Sequence, residues 1–443
     1  MTAYTETLVY RLQGSIVAKL ALYSSLIIYI TTIYYSLYIK QPPLNDFWVY
    51  YAGGASVNPF QPYPYHLYDA GMTEPIGVLA HKEHIRDGVG YWLDFTYPPF
   101  AALAFIPLTV LDVNTAGMLF NGVSALLALP IAWMILSMVA DYRGYTLGAF
   151  KAPLSLLLAS AFVLSAPMQS NFTAGQVNVV LLALIIYDLY RPATRIPRGV
   201  LIGIAAGIKV TPLAFILLFL VMRRYRSALW ILLSFAGTVL FSACLLPGES
   251  YAYWTSKLWN TERVGDPRSL HNISIQGMIA HLMERGMLAK LVYLTVALGV
   301  VALSVYCLRV IRGADRRYVL SGSLMSLMIL LVTPISWFHH GVSLIFVALV
   351  CAVIILPDVY RLSASRTVKI TSTILLGMGS LLLVIDSIPL GFIYMRVFRK
   401  ILGADKQYWM GTPMYLSLLA FFALYLIWVQ MVKKHPKTPL TQG

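Results

Sequence analysis

Apolar runs of about 20 residues recur from one end of this chain to the other, beginning with residues 20–38, and each is long enough to cross a hydrocarbon core about 30 Å thick. Composition agrees: hydrophobic residues make up 59% of the chain and charged residues 12%, against about 45–50% and 25% in soluble domains. Between the runs no stretch is left for a soluble domain of ordinary size. Residues 1–443 are therefore read as one all-α polytopic membrane domain. Arg11 and Lys19 precede the first run as they would in a secretory signal. That run is too long for a signal and lacks a small-residue cleavage site, so it is expected to persist as the first span. Cys244, Cys307 and Cys351 fall inside apolar runs with no CxxC spacing, which argues against a disulfide framework or a zinc site.

A formal charge of +15 invites a reading as a nucleic-acid binder, but the placement of the basic residues gives a different answer. They cluster in short loops: Arg191, Arg195 and Arg198; Arg223, Arg224 and Arg226; Arg309, Arg312, Arg316 and Arg317; Arg361, Arg366 and Lys369; Lys433, Lys434 and Lys437. The positive-inside rule puts these loops in the cytoplasm. No nucleic-acid partner is expected. The spans then fall near 17–39, 114–139, 151–168, 175–190, 226–246, 288–310, 318–335, 337–357, 367–388 and 412–432, about ten crossings with both termini cytoplasmic.

Residues 199–222 break this pattern, being long enough to span yet bracketed by arginines. Their middle reads Gly207–Ile208–Lys209–Val210–Thr211–Pro212, and proline removes a donor and clashes with the preceding turn. The segment is expected to be a re-entrant hairpin that enters from the cytoplasm and returns, with its irregular backbone lining a cavity. Three outer loops follow from this topology, at 40–113, 247–287 and 389–411. The first two carry most of the acids: Asp46, Asp69, Glu74, Glu83, Asp87 and Asp94, then Glu249, Glu262 and Asp266. The apolar stretch 100–111 is too short to span and is expected at the interface, beside the tyrosines and tryptophans that favour the headgroup layer.

Few residues are placed to do chemistry. Asp46 stands where the chain leaves the first span. It reads equally as a helix N-cap, accepting first-turn N–H bonds, and as a general base that takes a proton from an attacking hydroxyl. Lys209 at the hairpin break is costly in lipid unless paired or hydrated, which marks it as functional, with phosphate the natural partner of a flexible point charge. Snorkelling would have to carry it away from the cytoplasmic surface. His339 and His340 sit where two spans meet at the outer face. Neighbours about 100° apart on a helix do not chelate one metal together, so one is expected to face substrate and the other to pack. Arg268, His271 and Asn272 lie in a polar turn before an apolar helix, as substrate contacts or as ordinary turn residues. Gln176 and Asn178 offer outer-side amides that bind sugar hydroxyls or neighbouring helices. Asn171–Phe172–Thr173 and Asn272–Ile273–Ser274 match the glycosylation sequon, a weak pattern that matters only in a eukaryotic secretory pathway.

No Walker loop, GxGxxG, HExxH or GxSxG pattern appears, so nucleotide-driven transport, dinucleotide chemistry, zinc proteolysis and serine hydrolysis lose their usual support. The segments Asn45–Asp46–Phe47–Trp48–Val49–Tyr50–Tyr51–Ala52, Phe95–Thr96–Tyr97–Pro98–Pro99, Gly175–Gln176–Val177–Asn178, Gly207–Ile208–Lys209–Val210–Thr211–Pro212 and Pro334–Ile335–Ser336–Trp337–Phe338–His339–His340, in this order relative to the spans, resemble the GT-C glycosyltransferases. Within that superfamily they are similar to the α-1,2-mannosyltransferases of glycosyltransferase family 87.

The resemblance implies a GT-C fold in the cell membrane, with the active site facing outward. It implies a polyprenyl-phosphate-mannose donor and a mannosylated glycolipid acceptor, as in phosphatidylinositol mannoside or lipomannan synthesis. Asp46 takes the place of the catalytic aspartate, with Lys209, His339, His340, Arg268, His271, Asn272, Gln176 and Asn178 as candidate phosphate and substrate contacts. Asp46 has no second acid nearby, so no metal or other cofactor is expected. Two other classes stay open on the residues alone: a secondary transporter or lipid flippase, since broken helices with a buried lysine also mark transport sites, and a GT-C transferase of another sugar, arabinosyl or glucosyl.

Overall fold

The structure is a computed structural model that describes residues 2–40, 42–60, 62–75, 93–192, 195–269, 271–313, 315, 318–381, 383–384 and 412–435. The expected third outer loop at 389–411 lies outside the described residues, as do Glu83, Asp87, Arg316, Arg317 and Lys437. Among the described residues all regular structure is helical, apart from a single bridge between Asn272 and Trp337.

The first half of the chain contains α1 (Thr2–Tyr34), α2 (Asn45–Ser56), α3 (Pro99–Phe105), α4 (Val113–Arg143), α5 (Lys151–Leu164), α6 (Ala166–Ala174), α7 (Asn178–Tyr190), α8 (Val200–Ile208) and α9 (Phe215–Val221). The second half contains α10 (Tyr225–Leu245), α11 (Pro247–Thr255), α12 (Ile275–Leu282), α13 (Met287–Ile311), α14 (Val319–Val332), α15 (Leu344–Val350), α16 (Leu356–Leu362), α17 (Arg366–Leu381) and α18 (Thr412–Lys434).

Six helical segments are long and apolar enough to cross a membrane: Ser15–Ile39, Val113–Arg143, Tyr225–Leu245, Met287–Ile311, Phe338–Leu362 and Tyr415–Lys434. The chain is a multi-pass membrane protein. The other expected crossings are shorter or bent. α5 and α6 meet at an angle of 61°, because Ser165 between them is extended and Pro167 starts a new helix. α7 and α14 have 13 and 14 residues. α14 is buried on all sides from Val319 to Met328, and a helix wrapped in protein need not match the thickness of the bilayer. α10, by contrast, exposes Leu229, Trp230, Leu233, Leu240 and Phe241, as a helix facing lipid does.

Residues 199–222 double back on themselves. Gly199, Gly203 and Gly207, four apart and so on one face of α8, press in turn against Ser227, Ser234 and Thr238 of α10. The two helices therefore run parallel, and the chain must return between them. Lys209 is extended (φ −147°, ψ 122°), ending α8, and Pro212 opens the 3-10 turn Thr211–Ala214 that leads into α9. Both ends of the segment meet at Tyr318: the Arg198 guanidinium lies 5.0 Å from its ring centre and the Phe219 ring 5.5 Å away.

The base of this hairpin is fixed by a buried aspartate. Asp188 Oδ2 accepts the N–H groups of Gly199 at 2.8 Å and Ile202 at 3.2 Å, two of the donors that the start of α8 leaves free. Its other oxygen pairs with Arg191 at 2.7 Å. Residues 99–110 do not lie alone at an interface: Ala101, Ala102 and Phe105 are buried, and the Phe105 ring stacks 4.7 Å from that of Tyr50 in α2.

The close glycine contacts make a testable point. A Cβ at Gly207 would lie 2.7 Å from Thr238 Cβ and 2.8 Å from Thr238 Cγ2. Gly207→Ala is expected to destabilise by about 1–3 kcal/mol, the usual cost of overpacking. Adding Thr238→Gly should return much of that loss, as read by thermal unfolding of both variants in detergent.

Candidate active site

α2 begins at Asn45, with Leu44 in the left-handed region (φ 63°) as its N-cap and no side-chain cap bond. Leu44 is held there by its N–H on the Thr173 carbonyl at 2.9 Å. Asp46 is thus a first-turn residue and not the cap, and its carboxylate is directed elsewhere. Asp46 Oδ2 accepts a hydrogen bond from Gln176 Nε2 at 2.7 Å. The Gln176 side chain is fixed in turn: Tyr50 donates its hydroxyl to Oε1 at 2.7 Å, and Nε2 also reaches the Tyr97 hydroxyl at 3.1 Å. Gln176 is 2% exposed. It can stand there because α6 ends at Gly175 in the left-handed conformation (φ 69°), which turns the chain inward before α7.

The same turn carries a second amide. Asn178 Oδ1 accepts from Lys209 Nζ at 3.0 Å, and Asn178 Nδ2 donates to the His339 carbonyl at 3.2 Å and to Asn171 Oδ1 at 3.3 Å. Asn171 Nδ2 donates to the Gln176 carbonyl at 3.0 Å. Lys209 Nζ is 2.9 Å from His340 Nε2; with the ammonium as donor, that nitrogen accepts and His340 is neutral with its proton on Nδ1. One hydrogen-bonded chain therefore runs Asp46, Gln176, Asn171, Asn178, Lys209, His340. The Tyr97 ring closes the gap between its ends, its centre 5.7 Å from Lys209 Nζ.

Burial pushes the Asp46 carboxyl above the usual aspartate range, opposed by the Gln176 hydrogen bond and the Lys209 charge. Asp46 and Lys209 form no ion pair between them. Lys209 lines a cavity of about 220 Å³ together with Tyr97, Tyr253, Lys257, Arg263 and His340, and Asp46 is tied to its wall through Gln176, whose Nε2 bonds both the Asp46 carboxylate and the Tyr97 hydroxyl. Val210, Thr211, Thr333 and Pro334 are shared between this cavity and an apolar groove between α9 and α14, walled by Leu213, Leu217, Leu220, Met328 and Val332. The cation thus faces a partly enclosed space, and the carboxylate lies behind the Tyr97 and Gln176 side chains at its edge.

The structure divides the remaining candidates. His340 faces Lys209 and the cavity. His339 is buried with its ring 4.9 Å from that of His340, and its Nε2 has no hydrogen-bond partner among the described residues. Asn272 is occupied by backbone: its amide donates to the Pro267 and Pro334 carbonyls at 3.1 and 3.2 Å, and its oxygen accepts from Ser274 and Ser336 at 3.2 and 2.9 Å. It latches the 267–274 stretch to the segment carrying the histidines. Arg268 turns its Nε to the Ala280 carbonyl at 3.2 Å, and His271 is exposed; neither lines the cavity. Among the described residues no three His, Cys, Asp or Glu come together as a metal would need. Asp46 is the one carboxylate of the hydrogen-bonded chain. Tyr50, Tyr97 and Asn171 were missed as site residues. Tyr97 had a signal in its Phe95–Thr96–Tyr97–Pro98–Pro99 setting, whereas nothing local marked Asn171.

The family model described as Glycosyltransferase family 87 matches residues 95–334, more than half of the chain. The chain belongs to glycosyltransferase family 87. It is 32% identical over 273 residues, 60% of this chain and 62% of the relative, to a polyprenol-phosphate-mannose-dependent alpha-(1-2)-phosphatidylinositol mannoside mannosyltransferase of Mycobacterium tuberculosis. Over 287 residues it is 31% identical to a pentamannoside mannosyltransferase of the same naming in Mycolicibacterium smegmatis, covering 63% of this chain and 67% of the relative. The chain spans less than two thirds of the length of the Mycobacterium tuberculosis relative. No solved structure matches. Gln176, Asn178 and Lys209 lie inside the family match, and Asp46 lies before it.

The latch can be tested apart from any activity. Asn272→Ala leaves the N–H groups of Ser274 and Ser336 without their acceptor, at about 1–3 kcal/mol for each buried donor. Asn272→Asp keeps the acceptor but sets a carboxylate oxygen against the Pro267 and Pro334 carbonyls and should cost at least as much, and His271→Ala should leave the unfolding temperature unchanged. Thermal melts of the three purified variants check the order.

Proposed function

We propose that this protein transfers mannose from polyprenyl-phosphate-mannose to a mannosylated glycolipid, forming an α-1,2 linkage at the outer face of the cell membrane. The observation that carries the reading is the placement of one carboxylate and one ammonium on the two arms of a single hydrogen-bonded chain, the ammonium lining a cavity that shares a wall with an apolar groove. The names of the relatives supply the donor and acceptor classes.

The chemistry follows from those positions. An acceptor hydroxyl near Asp46 loses its proton to the carboxylate as its oxygen bonds to the anomeric carbon. The bond from that carbon to the phosphate oxygen breaks, and the electron pair stays on the phosphate. Lys209 meets the charge that develops there, aided by His340. Attack opposite the leaving group inverts the centre, so a β-linked donor gives an α-linked product. Gln176 orients Asp46 and belongs to the positioning set. Asn272 acts through the histidine segment.

Asp46→Asn keeps the shape and the bond to Gln176 in a flipped amide, but removes the base. Transfer from lipid-phosphate mannose by the purified, monodisperse variant should fall by about 10²–10⁴-fold. Wild-type turnover by a folded Asp46→Asn protein would sink the mechanism. The base works only when ionised and its folded pKa is raised, so kcat/KM should increase with pH through a value above the ordinary aspartate range. Lys209→Met removes the charge that holds this value down and should move the acid limb to higher pH.

The sidedness is part of the same proposal: the basic loops and both termini cytoplasmic, the loops 40–113, 247–287 and 389–411 outside, and the hairpin 199–222 entered from the cytoplasm. Cysteines placed at Arg195 and Arg224, both exposed, should react with an impermeant maleimide only after cells are opened. Labelling of either position in intact cells overturns the topology.

A further inference from the structure

The cavity has a second cationic end that the mechanism above does not use. Lys257 belongs to the 3-10 turn Lys257–Trp259 and Arg263 to the next, Thr261–Val264, both following α11 in the second outer loop. Both line the cavity that Tyr97, Lys209 and His340 also line. Arg263 is anchored by Nη2 on the Phe95 carbonyl at 2.6 Å, with a longer bond of 3.4 Å from Nη1 to the Lys257 carbonyl, and lies over the Tyr68 ring at 5.6 Å. These contacts use neutral acceptors and leave donors of the fork free. Lys257 Nζ makes one long bond, 3.4 Å to the Tyr68 carbonyl.

Among the described residues neither cation forms an ion pair. Glu249, the acid whose charge Lys257 feels, lies 4.0 Å from His66. Uncompensated cations are ordinarily spread over a protein surface in water. Here Lys257, Arg263 and Lys209 converge on one cavity, and no Asp or Glu is among its lining residues. An anchored guanidinium beside a mobile ammonium is a good receptor for a phosphate ester, the fork giving direction and the ammonium charge.

We propose that Lys257 and Arg263 form an anion site at the outer end of this cavity, which binds the phosphate of a lipid substrate. The inference rests on the cavity being a lipid-phosphate-sugar site. Two lipids bring the same chemistry: the phosphate ester of the sugar donor and the phosphodiester of a phosphatidylinositol-based acceptor. If the donor binds here, Lys209 and Arg263 grip one phosphate from two sides. If the acceptor does, its headgroup is held apart from the reacting donor.

The experiment measures binding without turnover. A short-chain polyprenyl phosphate, the uncharged polyprenol and phosphatidylinositol are each titrated by native mass spectrometry against wild type, Lys257→Gln, Arg263→Gln and Arg263→Lys. Arg263→Gln and Lys257→Gln should each weaken one of the two phospholipids by about tenfold or more, the loss of a charge-assisted bond. Polyprenol should be unaffected, and Arg263→Lys should recover part of the loss. Loss confined to polyprenyl phosphate assigns the site to the donor, and loss confined to phosphatidylinositol assigns it to the acceptor. Lys257→Gln gives up a single weak protein contact, so it tests the site even if Arg263→Gln does not fold. Equal affinity of wild type and Lys257→Gln for both phospholipids overturns the proposal, as does an equal loss for polyprenol. Sugar transfer by the same wild-type preparation is scored separately. Binding loss without any transfer would leave the anion site standing and remove the transferase reading, whereas transfer with unaltered binding would do the reverse.

Discussion

A charged or amide group inside an apolar bundle must find its partners within the protein, because no water is at hand to supply them. The hydrogen-bonded chain from Asp46 to His340 meets that demand, and much of the half of the molecule that holds it is arranged around it. It joins α2, the turn between α6 and α7, the tip of the hairpin and the segment before α15. The geometry of the site and the way these helix ends are tied are therefore one arrangement, and a group removed from the chain leaves a buried partner exposed to the cost of having none.

Buried aspartates do comparable work at the opposite end. Asp188 takes two of the free N–H groups at the start of α8, and Asp315 takes those of Val319 and Ser321 at the start of α14 at 2.9 and 2.7 Å. Asp358 pairs with Arg143 at 2.8 Å and accepts from Trp428 Nε1 at 3.0 Å. Arg143 in turn donates to the carbonyls of Val353 and Ile354, in the π-helical stretch Cys351–Ile355 whose irregular ladder frees such groups. The hairpin is thus pinned at its base by Asp188 and at its tip by the partners of Lys209. A broken helix fixed at both ends holds the Lys209 ammonium in place at the cavity.

What could be read from sequence divides along physical lines. Long apolar runs are one-dimensional signals, so the membrane class was legible. The number of full crossings was less so, since a short helix such as α14 is distinguished from a span only by what surrounds it. Lys209 stood out because an ionised group at such a position is expensive, and Asp46 because it stands where the chain leaves the first span. Gln176 and Asn178 were visible as amides, but their roles as links depend on Asn171 and Tyr97, which reach them only through the fold. The polar turn at Arg268, His271 and Asn272 had the composition of a site. Asn272 nevertheless has all its bonds on backbone, and composition does not tell a ligand contact from a latch. Arg191 was counted as a loop charge, yet it is 3% exposed and paired.

The separation of Asp46 from Lys209 is itself informative. Opposite charges in a low-dielectric cavity attract strongly, and a direct pair would be hard to part once formed. Each charge is instead bonded to a neutral amide, Gln176 on one side and Asn178 on the other, and the two amides are tied through Asn171. Held this way, the carboxylate keeps an oxygen for an incoming hydroxyl, and the ammonium keeps a donor for an anion. Their mutual field still acts, since Lys209 draws the Asp46 carboxyl down while burial raises it. In the proposed reaction, a substrate that places a hydroxyl by Asp46 and a phosphate by Lys209 supplies the partners these two groups lack. The amide spacers keep the two ends of the site from satisfying each other before it arrives.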